Sequence, residues 1–177
     1  MLNLYMHINL LRAKHSNKMN IQEIKPSDNQ ALAAMIRGVF IEHDAPTEGT
    51  VYTDPTTDAL FELFQIENAV LWVATENESV IGCCGIFPTE GLPENCTELV
   101  KFYLPKESRG KGIGRALMEK SIESARKLGY SDIYIESLPD FAKAVKIYKK
   151  QGFEQLIQPL GNSGHDGCTL WFLKKLD

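Results

Sequence analysis

No apolar run in this sequence approaches the ~18–20 residues that a membrane-spanning helix requires. That excludes a helical integral membrane protein. The opening LNLYMHINLLRAKHSNK has no basic stretch ahead of its apolar residues, is interrupted by Asn3, His7 and Asn9, and is followed by no A-x-A site, so it does not read as a secretory leader. Residues 1–18 are expected to be a loose N-terminal extension, with the folded domain over 19–177. Cysteine is sparse too. Cys83, Cys84, Cys96 and Cys168 form no C-x-x-C pair and have no histidine at ligand spacing; no metal site is expected, and the thiols read as free and buried in a reducing cytoplasm. Neighbouring Cys83 and Cys84 would project to opposite faces of a strand, which disfavours a disulfide between them.

Positive charge is not in excess either. The formal net charge is −4, whereas a nucleic-acid binder is normally basic overall, which argues against that partner. The distribution says more than the total. Residues 27–98 hold thirteen acidic side chains and one basic, Arg37; residues 99–127 hold eight basic and three acidic. Such blocks either solvate a surface or set an anion-binding half against a cation-attracting half.

What is present describes one globular domain: 44% apolar and 24% charged residues, with no internal repeat, low-complexity tract or linker. NIQEIKP alternates as a short strand ending at Pro26. Ser27 or Asp28 can cap a helix with Leu32, Met35, Ile36 and Val39 on one face. A long polar loop leads to Asp54 and Pro55, a second helix start. AVLWVAT and VIGCCGIF read as a hairpin, and TELVKFYLP as a third strand closed by Pro105. A helix over about 112–128 follows, with Ile113, Leu117, Ser121, Ile122, Ala125 and Leu128 inward and Gly129 beyond its end. DIYIESL is a strand, residues 141–153 a helix stopped at Gly152, and about 153–158 and 168–174 two more strands flanking GNSGHDG. The order β-α-α-β-β-β-α-β-α-β-β predicts an α/β (α+β) single domain, a mixed and mostly antiparallel sheet with helices on both faces.

SRGKGIGRAL places three glycines and three cations at the start of a helix, where glycine costs stability and positive charge opposes the macrodipole. Both terms ease if a polyanion sits there. Converging backbone amides and the free first-turn N–H groups of the helix make such a site. The P-loop pattern is absent, and G-x-G-x-x-G fails because its third slot is Arg115 or Leu117. What remains is R-x-x-G-x-G, Arg109 to Gly114.

R-x-x-G-x-G after a Pro-terminated strand resembles the acetyl-CoA signature of the GNAT superfamily of N-acetyltransferases. Ala144-x-x-x-Tyr148-x-x-x-Gly152-Phe153, forty residues on, is similar to that superfamily's A-x-x-x-Y-x-x-x-G-F segment. The resemblance covers about 20–175. It departs at Phe141, where many members carry a cofactor-contacting Asn. It implies a GNAT-like fold and an enzyme that moves acetyl from acetyl-CoA, a cosubstrate, to a primary amine on a small molecule or peptide. It implies that Arg109, Gly110, Lys111, Gly112, Ile113, Gly114 and Arg115 bind the pyrophosphate, and that Phe102, Tyr103 and Leu104 run beside the pantetheine arm, with a backbone N–H near Leu104 for the oxyanion. A non-catalytic acyl-CoA sensor or interaction module on the same fold is the alternative.

Acetyl transfer to an amine also needs a proton donor for the leaving thiolate and a base for the amine. Tyr148 is expected to donate, the alternative being a core tyrosine with a satisfied hydroxyl. Glu98, at the head of the third strand, is the candidate base; an edge carboxylate that merely attracts cations is the alternative. Glu42, Asp44, Tyr52 and Asp54 are further acceptor-side candidates. His165 either shuttles a proton from a loop closing over the acceptor or is a surface histidine in a flexible hairpin. The acidic block leans toward a cationic acceptor. A cytoplasmic location is expected, and exposed edge strands at the C-terminal end would permit a homodimer.

Overall fold

The structure is a computed structural model and describes residues 19–176; the expected extension over 1–18 lies outside them. Seven strands form one sheet: β1 Asn20–Glu23, β2 Val70–Glu76, β3 Ser79–Phe87, β4 Cys96–Tyr103, β5 Asp132–Ser137, β6 Glu154–Leu156 and β7 Leu170–Lys175. Their spatial order is β1-β2-β3-β4-β5-β7-β6. Only β4 and β5 pair in parallel. The longer helices are α1 Asn29–Glu42, α3 Ile113–Lys127 and α4 Ala142–Lys150, with a single turn, α2, at Leu60–Leu63. This is the mixed, mostly antiparallel sheet with helices on both faces that the pattern predicts.

The sheet divides two cores. Leu117, Met118, Ile122 and Ala125 of α3 pack with Tyr148 of α4 on one face; Leu32, Ile36 and Phe40 of α1 pack with Leu60 and Phe64 on the other. Strand alternation sends Cys84 into the first core and Cys83 into the second, and all four cysteines are free. Each large apolar side chain so buried contributes about 1.5–3 kcal/mol. Two details differ from expectation. Leu128 caps α3 and is 44% exposed, and Met118 fills the inner face instead. β7 lies inside the sheet between β5 and β6, so the edge at this end is the three-residue β6 and not the last strand.

Helix α4 ends as the sequence predicts. Gly152 takes φ +83°, and Phe153 N–H reaches back to the Tyr148 carbonyl at 3.1 Å, which seats Phe153 in the core. Asp54 caps the 3-10 turn Pro55–Asp58 by accepting from Thr56 N–H at 2.9 Å.

The sheet is interrupted between β4 and β5. Parallel pairing of β4 with β5 covers only Cys96–Asp132, Thr97–Ile133 and Glu98–Tyr134. Beyond Glu98 the two strands run on to Tyr103 and Ser137 without pairing, so their backbone groups face an opening. On its other side β4 carries a bulge: Gly85 pairs Val100 and Cys83 pairs Tyr103, leaving two residues of β4 opposite one of β3.

Candidate active site

The opening between β4 and β5 is the mouth of a cavity of about 430 Å³. One end is the glycine-rich turn. Gly112, the N-cap of α3, takes φ +82°, and Gly110 takes +76°. The first-turn amides of α3 have no intrahelical partner. Gly114 permits the helix to seat on β4: a Cβ there would lie 3.3 Å from both Leu104 Cδ1 and Phe102 Cζ.

The predicted anion-site residues are together but not equivalent. Arg109, Gly110, Gly112, Gly114 and Arg115 line the cavity. Ile113 is 5% exposed, so its side chain belongs to the core and only its backbone can serve a ligand. The Arg109 guanidinium holds Glu42 through two bonds of 2.7 and 2.8 Å, and its Nε donates to the Leu104 carbonyl at 3.0 Å. It ties α1 to the end of β4. Arg115 pairs with Glu119 at 2.7 Å on the exposed side of α3, and Lys111 is exposed. Of the three strand residues beside the turn, Phe102 and Leu104 pack toward α3 and Tyr103 toward α1. Phe141 stands edge-on to Phe40 and His43, with centroids 5.2 and 5.5 Å away.

A second cavity, about 500 Å³, lies on the α1 side and shares Thr50, Glu98, Val100, Lys101 and His165 with the first. Glu98 at this junction is 5% exposed, and Thr89 Oγ1 donates to its Oε2. Burial pushes its pKa up to about 7 against the Thr89 hydrogen bond, with the charge of Glu136 adding to the rise. It is not an edge carboxylate. Asp54 is pulled up by burial but ends below the usual range, because Thr56, Lys101 and His165 all favour its charged form. Of the other acceptor-side candidates, Glu42 is bound to Arg109 and Asp44 is exposed. Tyr52 packs on Phe40 at 5.9 Å, and its carbonyl accepts from Arg37.

Tyr148 also lines the first cavity, 5% exposed, with its ring against Phe102, Phe153 and Phe172. Burial pushes its phenol pKa up, opposed by a hydrogen bond with Ser137. The hydroxyl therefore keeps its proton throughout the working range. His165 is not a free surface residue: its Nε2 lies 3.3 Å from Asp54 Oδ2. The loop carrying it is fastened by Asn162 N–H to Glu90 O at 2.8 Å, Gly167 N–H to Gly49 O at 3.0 Å and Ser163 Oγ to Glu136 at 2.6 Å. The sequence pattern does not single out Lys101. Its one signal there is a cation in the mostly apolar second half of β4. Among the described residues no group of three His, Cys, Asp or Glu could hold a metal ion.

The chain has clear relatives. The Acetyltransferase (GNAT) family model matches residues 27–153. An uncharacterized N-acetyltransferase of Escherichia coli (strain K12), YjgM, is 32% identical over 150 residues, spanning 84% of this chain and 90% of that one. A GNAT-family acetyltransferase from Staphylococcus aureus Mu50 superposes with a TM-score of 0.79 at 20% identity, over 90% of this chain and all of that one. Salmonella typhimurium yncA, a structure with its cofactor acetyl-CoA, gives 0.72 at 20% identity, over 90% and 95%.

Proposed function

This chain is a member of the GNAT acetyltransferase family, and we propose that it moves an acetyl group from acetyl-CoA directly to a primary amine where the two cavities meet. The residues present fit the cosubstrate. Positive-φ glycines, free first-turn amides and the cations Lys111 and Arg115 suit a diphosphate. The edge of β4 left unpaired by β5, at Phe102 and Tyr103, and Leu104 just beyond it suit an extended, amide-containing arm. When bound, acetyl-CoA supplies an acetyl carbon activated as a thioester. Arg109 serves by holding the turn against α1, with its charge already met by Glu42.

Glu98 is the base: its carboxylate oxygens take the proton that the acceptor ammonium must lose. A carboxyl titrating at about 7 is half ionised near neutrality, and its conjugate acid releases the proton readily. Tyr148 Oη is the donor to the departing thiolate sulfur, held in place by its three aromatic neighbours. A backbone N–H near Leu104 steadies negative charge on the carbonyl oxygen. The single observation that carries this reading is a buried carboxyl, Glu98, at the junction of a cavity that ends in a glycine-rich turn with a second cavity that shares part of its lining. No helix of the described residues is long and apolar enough to cross a membrane, and the reading is of a cytoplasmic enzyme.

The test is thiol release from acetyl-CoA across primary amines, amino acids, polyamines and basic peptides. Tyr148→Phe keeps the ring packing and loses only the hydrogen bond with Ser137, so it should lose about a hundredfold or more in turnover with coenzyme A affinity unchanged and a melting temperature within a few degrees of wild type. Equal turnover would remove Tyr148 from the mechanism. Tight coenzyme A binding with no release for any amine would mark a sensor.

A further inference from the structure

Lys101 is the extra residue of the β4 bulge. Gly85 faces Val100 and Cys83 faces Tyr103, so only Cys84 stands opposite Lys101 and Phe102. Lys101 takes φ +54°, a left-handed conformation uncommon for a residue with a side chain. The consequence is directional. In an unbroken strand Lys101 would share the face of Leu99, which lies in the apolar core under α3. The bulge turns it instead to the side of Glu98 and Val100, where it lines both cavities. A strained backbone and a cation 7% exposed meet at the point where the acceptor must sit.

We propose that Lys101 selects the acceptor by binding a carboxylate carried beside the reactive amine, so that this enzyme acetylates an amino acid with an apolar side chain. The proposal rests on the acetyltransferase reading and narrows it. Asp54, the ion-pair partner of Lys101, stands off at 3.8 Å, past hydrogen-bond length, which leaves the ammonium's donors able to reach a ligand oxygen. Glu98 and Lys101 present opposite charges on one side of one strand, as the ammonium and carboxylate of an amino acid do. Burial lowers the Lys101 pKa against Asp54 and Glu98; an arriving carboxylate would favour its charged form further. Beyond the charges, the second cavity is walled by Leu63, Phe64 and Phe87, the two rings 5.5 Å apart, a surface for an apolar side chain.

The acidic block in the sequence leans toward a cationic acceptor, but the fold does not gather it there. Glu42 is held by Arg109 and Asp58 by Arg37. Asp54 already faces Thr56, Lys101 and His165. Glu98 and Glu90 are the remaining carboxylates in the second cavity, too few for an array that would read a polyamine.

Four pairs of acceptors test this: phenylalanine and 2-phenylethylamine, leucine and isoamylamine, methionine and 3-(methylthio)propylamine, tryptophan and tryptamine, with spermidine alongside. Within at least one pair kcat/KM for the amino acid should exceed that of its decarboxylated partner by about tenfold or more. Lys101→Met should bring that ratio close to one, and Lys101→Arg should restore part of it. Spermidine or the carboxylate-free member preferred throughout, or a ratio that Lys101→Met leaves intact, overturns the proposal while leaving the acetyltransferase reading standing. No thiol release with any acceptor, despite coenzyme A binding, overturns both. The wild-type ratio needs no variant, so a poorly folding Lys101→Met does not shelter the idea.

Discussion

The buried carboxyl proposed as the base, Glu98, lowers stability. Its carboxyl titrates at about 7 in the folded chain against an ordinary 4.5, chiefly because burial disfavours the charge. Between those two values the unfolded chain releases the proton while the folded chain retains it. Stability is therefore lost as pH rises from about 4.5 to 7, by roughly 3 kcal/mol once both forms are ionised. Glu98→Gln removes that ionisation. It should melt several degrees above wild type at pH 8 and show no such advantage at pH 4.5, by thermal denaturation at both values. The same variant should flatten the limb of the kcat/KM profile that rises through about pH 7. A wild-type profile with no such limb would take Glu98 out of the base role. Glu98 is visible in the sequence as a carboxylate heading a strand. Its burial is not, because the partners that enclose it, such as Thr89 and the residues 162–165 that line the same cavity, come from other parts of the chain. Lys101 is hidden for a different reason: alternation in TELVKFYLP gives no sign of an inserted residue, and one residue decides which face a side chain takes.

At the scale of elements, two glycines in helical surroundings have opposite meanings. Gly38 lies exposed inside α1, where an added Cβ would meet nothing within 4 Å. Gly38→Ala should stabilise the protein by about 0.5–1 kcal/mol, since glycine loses more backbone freedom on folding. Gly112 has equal room for a Cβ but takes φ +82°. Gly112→Ala should destabilise by about 1–2 kcal/mol through backbone strain alone, and weaken coenzyme A binding as the turn's amides shift. Chemical denaturation of both variants beside wild type checks the signs; a stabilising Gly112→Ala would mean the turn can do without its left-handed residue. These elements are legible because caps and breakers are local. Asp54–Pro55, Gly129 and Gly152–Phe153 each mark a terminus from a few neighbouring residues. Where partners in space decide, reading along the chain gives less. β6 keeps only Glu154–Leu156 of the expected 153–158, since β7 is its single neighbour, and Leu128 is left out of the core by the turn that ends α3.

The whole molecule is two sheet halves joined by a short seam. The strand–helix–strand crossover expected from the sequence delivers β4 and β5 side by side, yet only three register pairs hold them before they part. Asn162 to Glu90, Gly167 to Gly49 and His165 to Asp54 span the gap from other elements. None of these ties can be seen in the sequence, because each joins residues far apart in the chain. A ligand lying between the diverging strands touches both halves and binds only when they are assembled. Coenzyme A at a hundred times its Kd should therefore raise stability by about 2.7 kcal/mol, within one cooperative transition. Amide exchange locates the effect. Protection against local opening should rise at residues 99–104, 112–116 and 136–138, on both sides of the seam, while β1 and β2, which do not line the opening, gain only what the global stabilisation gives them. Added protection confined to one half, or a melt that separates into two steps on adding ligand, would mean that the cleft between β4 and β5 is not where the cosubstrate lies.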